Sequence, residues 1–395
     1  MTQMNKGWEI KKLGEVCGFQ NGFAFKSKTY RENGLPILRI TNIQNDEIST
    51  NELVYFDQND YKENLDRFHV VKDDLLVAMS GATTGKLGVN KSDTVFYLNQ
   101  RVGKFIPKKE LNRNFLYYFL STKVEESLRI AAGAAQPNLS TEQINNFEIP
   151  LPPLPEQHRI VSILDECFSA IDKAKANAEQ NLKNAKELFE SYLQGVFENG
   201  KWTEKKLGEI AFVKSGGTPS RRKKEYWGGN IAWYSSGELN DIYTIEPERF
   251  INELAIDNSN AKLFPKGSLL IGMYDTAALK MSITEREATF NQAIAGVKPN
   301  PKIDLLFILH AINAQKAELL NLRRGTRQKN LSLEKIKDIF IPLPSLKDQQ
   351  TIVHQLDALR EKTQTLVAVY QKKIVDLEEL KKSILQKAFA GELTS

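Results

Sequence analysis

The chain is written twice. Trp8, Leu13, Gly14, Glu15, Gly34, Ile37, Leu75, Leu76, Met79 and Lys86 return 194 positions later as Trp202, Leu207, Gly208, Glu209, Gly228, Ile231, Leu269, Leu270, Met273 and Lys280. Two residues then drop out and the offset becomes 192. Asn99, Asn138, Leu139, Ser140, Pro150 and Leu193 return as Asn291, Asn330, Leu331, Ser332, Pro342 and Leu385. A solenoid repeat runs about 20–50 residues, so this long period marks a duplicated domain. A duplicated domain presents whatever it does twice, which points to a partner with two related sites.

Each copy has two parts. The first, roughly 150 residues, mixes short strands, turns and a helix. Leu35–Ile40 and Asp74–Met79 read as strands, with counterparts at Asn230–Tyr234 and Ser268–Met273. The two-residue gap falls between Val89 and Asn99, where a hairpin loop tolerates length change. One helix is expected over Arg113–Ile130 and its copy over Leu305–Leu322, each ending before a glycine, Gly133 or Gly325.

The second part is a long helix. The prolines of Ile149–Pro155 break regular structure, and Glu156–Phe197 then lacks proline and, until Gly195, glycine. Apolar positions alternate four and three apart, the coiled-coil signature. The pairing residues expected in copy one include Ile160, Leu164, Ile171, Ala174, Ala178 and Leu188. In copy two they include Leu356, Leu359, Leu366, Tyr370, Leu377 and Leu380. Small residues in one stripe (Ala174, Ala178, Ala185) match bulky ones in the other, so the helices are expected to pair, antiparallel given the repeat. About 38 residues of helix measure roughly 57 Å, a rigid bar. The expected fold is α+β: strand-rich domains over 1–150 and 200–343, and antiparallel spacer helices over 151–199 and 344–395.

Composition permits this and narrows function. No apolar run approaches the roughly 18 residues of a membrane span. The N-terminal segment lacks a signal peptide's apolar core, and Cys17 and Cys167 have no disulfide or zinc spacing, so a reducing, cytoplasmic setting is expected. Net charge is +5, compatible with nucleic acid without demanding it. Gly81–Lys86 resembles a phosphate loop only briefly. It is one residue short between its glycines and lacks Ser or Thr after the lysine, and its copy, Asp275–Lys280, loses both glycines. The four histidines share no metal spacing, and no nucleophile elbow or dinucleotide fingerprint follows a strand. The chain reads as a binder or scaffold, not an enzyme.

At this point the residues resemble the specificity (S) subunits of type I restriction–modification systems. The strings that carry the likeness are Ile149–Ser162, Leu385–Thr394, Ser215–Ser220, Tyr226–Asn230, Met79–Lys86 and Lys329–Lys337, in the order globular, helix, globular, helix. The resemblance implies two target-recognition domains, each reading half of a split, asymmetric double-stranded DNA site. It implies long helices that dock two modification (methyltransferase) subunits, with restriction subunits joining through them. S-adenosylmethionine, and ATP with magnesium, belong to those partners; the chain itself binds no cofactor or metal. The second helix opens with Pro344–Gln349, a degraded form of the Pro153–Gln157 motif, which would make the two docking surfaces unequal.

DNA-facing residues are sought where the copies differ on a shared frame, since base edges are read by Arg, Lys, Asn and Gln from loops. The loop Ala131–Asn138 becomes Arg323–Asn330, bringing Gln136, Asn138, Arg323, Arg324, Arg327, Gln328 and Lys329 forward. The early loop offers Lys26 in copy one and Lys214, Thr218, Arg221, Arg222 and Lys223 in copy two. Strand ends offer Arg39, Thr41, Asn42, Ser80, Thr83, Thr84, Lys86, Gln100 and Arg101, with Ser235, Ser236, Tyr274, Lys280 and Gln292 as second-copy candidates. The basic loops read equally as solvated surface, and Trp233 and Tyr234 as core. A scaffold joining two partner-binding domains without DNA readout is the alternative.

Overall fold

A computed structural model describes residues 7–44, 46–132, 138–321 and 331–393. Its contacts divide the chain into two units. One comprises Met1–Ala178 with Lys372–Ser395, the other Glu179–Gln371. Each unit is a strand-rich domain with part of each of two long helices, Leu154–Asn199 and Leu346–Ala390.

In the first unit a six-stranded sheet is built around Leu75–Ala78, Val102–Pro107 and Cys17–Asn21. A four-stranded sheet is built around Leu35–Leu38 and Phe96–Leu98, which run parallel. The second unit repeats this with Leu269–Gly272, Ile294–Val297 and Val213–Ser215 in one sheet, and Trp227–Tyr234 parallel to Ala288–Phe290 in the other. The expected hairpin between Val89 and Asn99 is not formed. Leu87–Val89 pairs in the large sheet and Phe96–Leu98 in the small one, so this stretch crosses between sheets.

The expected domain helix is two helices, Arg113–Thr122 and Val124–Ala132, repeated as Leu305–Ala314 and Lys316–Asn321. Ser121 and Thr122 donate their hydroxyls to the carbonyls of Tyr117 and Phe119 just before the break, a local competition that bends helices. Asn112 and Asp304 cap equivalent N-termini.

The long helices seat on these domains by equivalent contacts. In the first unit Phe389 meets Phe115 at 5.1 Å between ring centroids; in the second, Phe197 meets Phe307 at 5.3 Å. Both phenylalanine pairs are related by the 192-residue offset. Gln157 is fully buried. Its amide accepts from the Asn112 N–H and donates to the Glu110 and Pro152 carbonyls. Gln349 accepts from the Asp304 N–H and donates to the Pro344 carbonyl. The degraded second motif therefore keeps the residue that locks its helix start.

Within each unit the helices run antiparallel. Lys175 pairs with Glu378 and Asp172 with Lys381 in the first; Tyr192 lies beside Gln355 in the second. The apolar stripes depart from the expected heptads. Ile160, Leu164, Ile171 and Ala178 are buried and Ala174 half-buried, but Leu188 is 47% exposed, with Phe189 and Leu193 turned inward. An α-helix drifts about 20° per heptad. Four heptads from Ile160 bring the drift close to one residue's rotation. In the second helix Leu356 is buried and Tyr370 and Leu377 half-buried, while Leu359 is half-buried and Leu366 and Leu380 are exposed. Thr363 there is buried, and Arg360 and Val367 beside it are half-buried. Arg360 lays its guanidinium 5.5 Å from the Phe189 ring centre and reaches Asp357 and His310, so a charged residue fills a place that hydrophobicity assigns to leucine.

Candidate nucleic-acid interface

Among the described residues, the segments flanking most of the loops singled out from the sequence meet at the strand ends of each domain, because backbone bonds tie them together. In the first domain the Met79 N–H donates to the Arg101 carbonyl (2.9 Å), Leu139 to Met79 (2.8 Å), Gln100 to Phe23 (2.9 Å) and Asn99 to Leu38 (3.1 Å). Ser80 also bridges to Asn138. In the second, Met273 donates to Ala293 (2.9 Å), Leu331 to Met273 (2.8 Å), Gly217 to Phe290 (2.9 Å) and Asn291 to Tyr234 (2.9 Å). The turn after the central strand keeps one shape in both. Gly81 and Gly85 have φ of 75° and 81°, and Asp275 and Leu279 have φ of 49° and 57°. Left-handed backbone costs a non-glycine residue energy, so the surrounding frame imposes this turn on the second copy.

On this platform Thr41, Lys86, Gln100, Arg101 and Asn138 are exposed, and Arg39, Ser80 and Thr83 half-exposed. Among the described residues, Ser80 Oγ and Arg39 Nε have no hydrogen-bond partner. Lys26 is exposed at the start of a turn whose backbone meets the Tyr61 hydroxyl. Two candidates are corrected. Asn42 is 1% exposed; its carbonyl accepts from the Arg39 N–H and its amide donates to Ser49 and Asn51 carbonyls. Thr84 is fully buried and donates to the Gly81 carbonyl. Both hold turns, and burial keeps their side chains from a partner.

In the second domain Lys214 and Gln292 are exposed, and Thr218, Ser235, Ser236, Tyr274 and Lys280 half-exposed. Lys280 donates to Asn240 at 2.8 Å, and Thr218 donates to the Gln292 side-chain carbonyl. Trp233 and Tyr234 are core. Arg221, Arg222 and Lys223 are exposed but stand apart. They adjoin a concavity lined by Arg221, Lys224, Trp227, Arg249 and Phe250, at the start of the strand whose far end carries Ser235. Eight extended residues put those ends on the order of 20 Å apart. Gln136, Arg323, Arg324, Arg327, Gln328 and Lys329 lie outside the described residues.

Sequence reading missed a recess in the second domain lined by Ser215, Gly216, Gly217, Thr218, Asn260, Lys262 and Gln292. Its signal was present in the repeat: Lys262 stands where copy one has Phe68, and Gly217 where it has Phe23. Among the described residues no group of His, Cys, Asp or Glu is arranged to hold a metal, and no helix is long and apolar enough to cross a membrane. Burial pushes the Cys17 thiol up to about 12, so it is an inert core group.

Comparison with known proteins agrees with this architecture. The family model for the type I restriction modification DNA specificity domain matches residues 5–183 and again 199–374. The chain is 31% identical over 261 residues to the type I restriction enzyme EcoR124I/EcoR124II specificity subunit of Escherichia coli, spanning 62% of each chain. It is 24% identical to the EcoBI specificity subunit of Escherichia coli, over 100% of this chain and 88% of that one. The crystal structure of the HsdS subunit from Thermoanaerobacter tengcongensis shares the fold with a TM-score of 0.68 at 18% identity, covering 99% and 98% of the two chains. A chain from a structural study of assembly and conformational transition in the type I R-M system gives 0.77 at 19%, covering 99% and 100%. With both copies matched by the family model, the chain belongs to the type I restriction-modification DNA specificity family.

Proposed function

We propose that the chain reads a two-part double-stranded DNA target, one half per strand-rich domain, and carries no catalytic step itself. The observation that supports this best is the repeated platform, where one backbone frame holds exposed polar side chains that differ between copies. Different side chains on one frame imply unlike half-sites. On this reading the loop lysines and arginines contact phosphate, Gln100 and Gln292 face base edges, and Arg323, Arg324, Arg327, Gln328 and Lys329 add to the second platform. The long helices dock two modification subunits, which bring S-adenosylmethionine and the methyl-transfer residues. Restriction subunits that use ATP and magnesium join through them, in the cytoplasm.

Selection of duplexes randomised in both halves, using the chain assembled with modification subunits, is expected to return one split sequence of fixed spacing. Recovery of no preferred split sequence overturns the reading. Affinity falls steeply with added salt if phosphate contacts dominate. The scaffold alternative separates on a triple alanine substitution of Arg323, Arg324 and Arg327: weaker DNA binding with intact assembly supports readout, and unchanged DNA binding favours the scaffold.

A further inference from the structure

The two platforms rest on different foundations. Under the first lies an aromatic cluster: Phe23 packs on Phe25, Tyr61 and Phe68 at 5.1–5.4 Å, and Phe56 on Phe25 and Tyr61. The repeat offset puts Gly217, Pro219 and Lys262 at the positions of Phe23, Phe25 and Phe68. The equivalence holds in the backbone. Phe23 and Gly217 donate to Leu98 and Phe290, and Val70 and Phe264, two residues after Phe68 and Lys262, both pair with the small sheet. Three of these rings are thus missing from the second domain. Trp233 replaces part of their bulk, its indole N–H donating to the Gly217 carbonyl at 3.1 Å. The remaining space is the recess of Thr218, Asn260, Lys262 and Gln292.

Gly217 fixes its wall. A Cβ there would lie 2.3 Å from the Asn260 backbone carbon, so the loop and the Asn260 segment approach as closely as glycine alone permits. Across the recess Thr218 donates to the Gln292 Oε1. This bond holds the amide in one orientation. Among the described residues, the Gln292 NH2 donors and the second lone pair of its oxygen stay available. One acceptor beside one donor, held rigidly, matches the major-groove edge of adenine. In the first domain Ala24 takes the place of Thr218, so Gln100 has no hydroxyl at that position to hold it.

Building on the proposed DNA readout, we propose that the Thr218–Gln292 pair is the base-reading centre of the second domain, specific for adenine, and that the first domain reads its half-site without such a recess. Lys262, at the recess edge, contacts the adjoining phosphate.

The test is duplex selection with the full chain and its modification subunits, comparing wild type with Gln292→Leu, Gln292→Glu and Thr218→Val. Wild type is expected to require adenine at one position of one half-site. Gln292→Leu lowers that preference about tenfold, the discrimination typical of a bidentate contact. Gln292→Glu moves it toward cytosine, whose amino group suits an acceptor-only side chain. Thr218→Val relaxes it less. The other half-site is unchanged throughout, a pattern that a merely misfolded variant does not give. A split preference that all three variants retain unaltered overturns this assignment and leaves the proposed function standing. A wild-type chain with no split preference overturns both.

Discussion

The two domains agree where they hold the long helices and differ in what they bury there. Each seats a phenylalanine from a long helix on its own domain helix, and each locks a helix start with a buried glutamine amide. One turn of helix away, the first domain buries Tyr118 donating to Asp165. The equivalent positions in the second hold His310 and Asp357, with Arg360 linking them. The difference teaches that the shape of the anchor is fixed by packing, while the polar pair beside it is free to change if its members stay partnered. Burial and the Asp165 bond raise the Tyr118 hydroxyl well above its usual range, so that hydroxyl does not titrate near neutrality. Burial, aided by the Arg360 charge, pushes His310 down to about 4.

The largest test of this comparison is truncation of the shared anchor. Phe115→Ala and Phe307→Ala remove fully buried rings and should each cost about 3–5 kcal/mol in denaturant unfolding. A cost below about 1 kcal/mol in either unit breaks the equivalence.

Gln157→Ala and Gln349→Ala come next. Each leaves buried backbone groups unpaired, a cost of about 1–3 kcal/mol per group. Gln157 satisfies three partners and Gln349 two, so the first substitution should lower the unfolding midpoint more. The reverse order would show that the second lock is the tighter.

Acid should separate the units. His310 is neutral when folded and takes up a proton on unfolding between about 4 and its ordinary 6.5. Stability from this group is therefore present above about 6.5 and lost as pH falls toward 4. Urea midpoints of wild type and His310→Gln, followed by Trp233 fluorescence, should diverge at pH 7 and approach each other toward pH 4. Parallel pH curves would mean that His310 takes up its proton as readily folded as unfolded.

The smallest effect concerns the exposed leucines. Leu366→Lys and Leu380→Lys should change the stability of the free chain by less than about 0.5 kcal/mol. Leu356→Ala, at a fully buried position, should cost about 2–5 kcal/mol.

Much of this fold was legible in the residues because duplication doubles every signal. Strand positions, long helices and loops each appear twice, and a pattern that survives divergence marks the frame. Besides the hairpin after Val89 and the unbroken domain helix, three things escape. Leu188 and Leu366 read as inward because a strict heptad ignores helical drift, which turns Phe189 and Val367 inward instead. Asn42 and Thr84 read as interface residues because their side chains suit DNA as well as they suit turns, and only their burial and their bonds to the turn backbone decide. The recess at Gln292 depends on Phe68 having become Lys262 and Phe23 having become Gly217. Those positions lie 45 residues apart, so only their meeting in space gives the changes meaning.

The division of the chain has a consequence for how the molecule is made. The second unit is one uninterrupted stretch, Glu179–Gln371, whereas the first needs Lys372–Ser395 to rejoin residues before Ala178. Leu385 and Ala388 belong to the same buried cluster as Phe115 and Ile160. During vectorial synthesis the ribosome therefore delivers a complete second unit while the first still awaits part of its interior, and a nascent chain stalled before Lys372 leaves the earlier-made unit the less finished of the two.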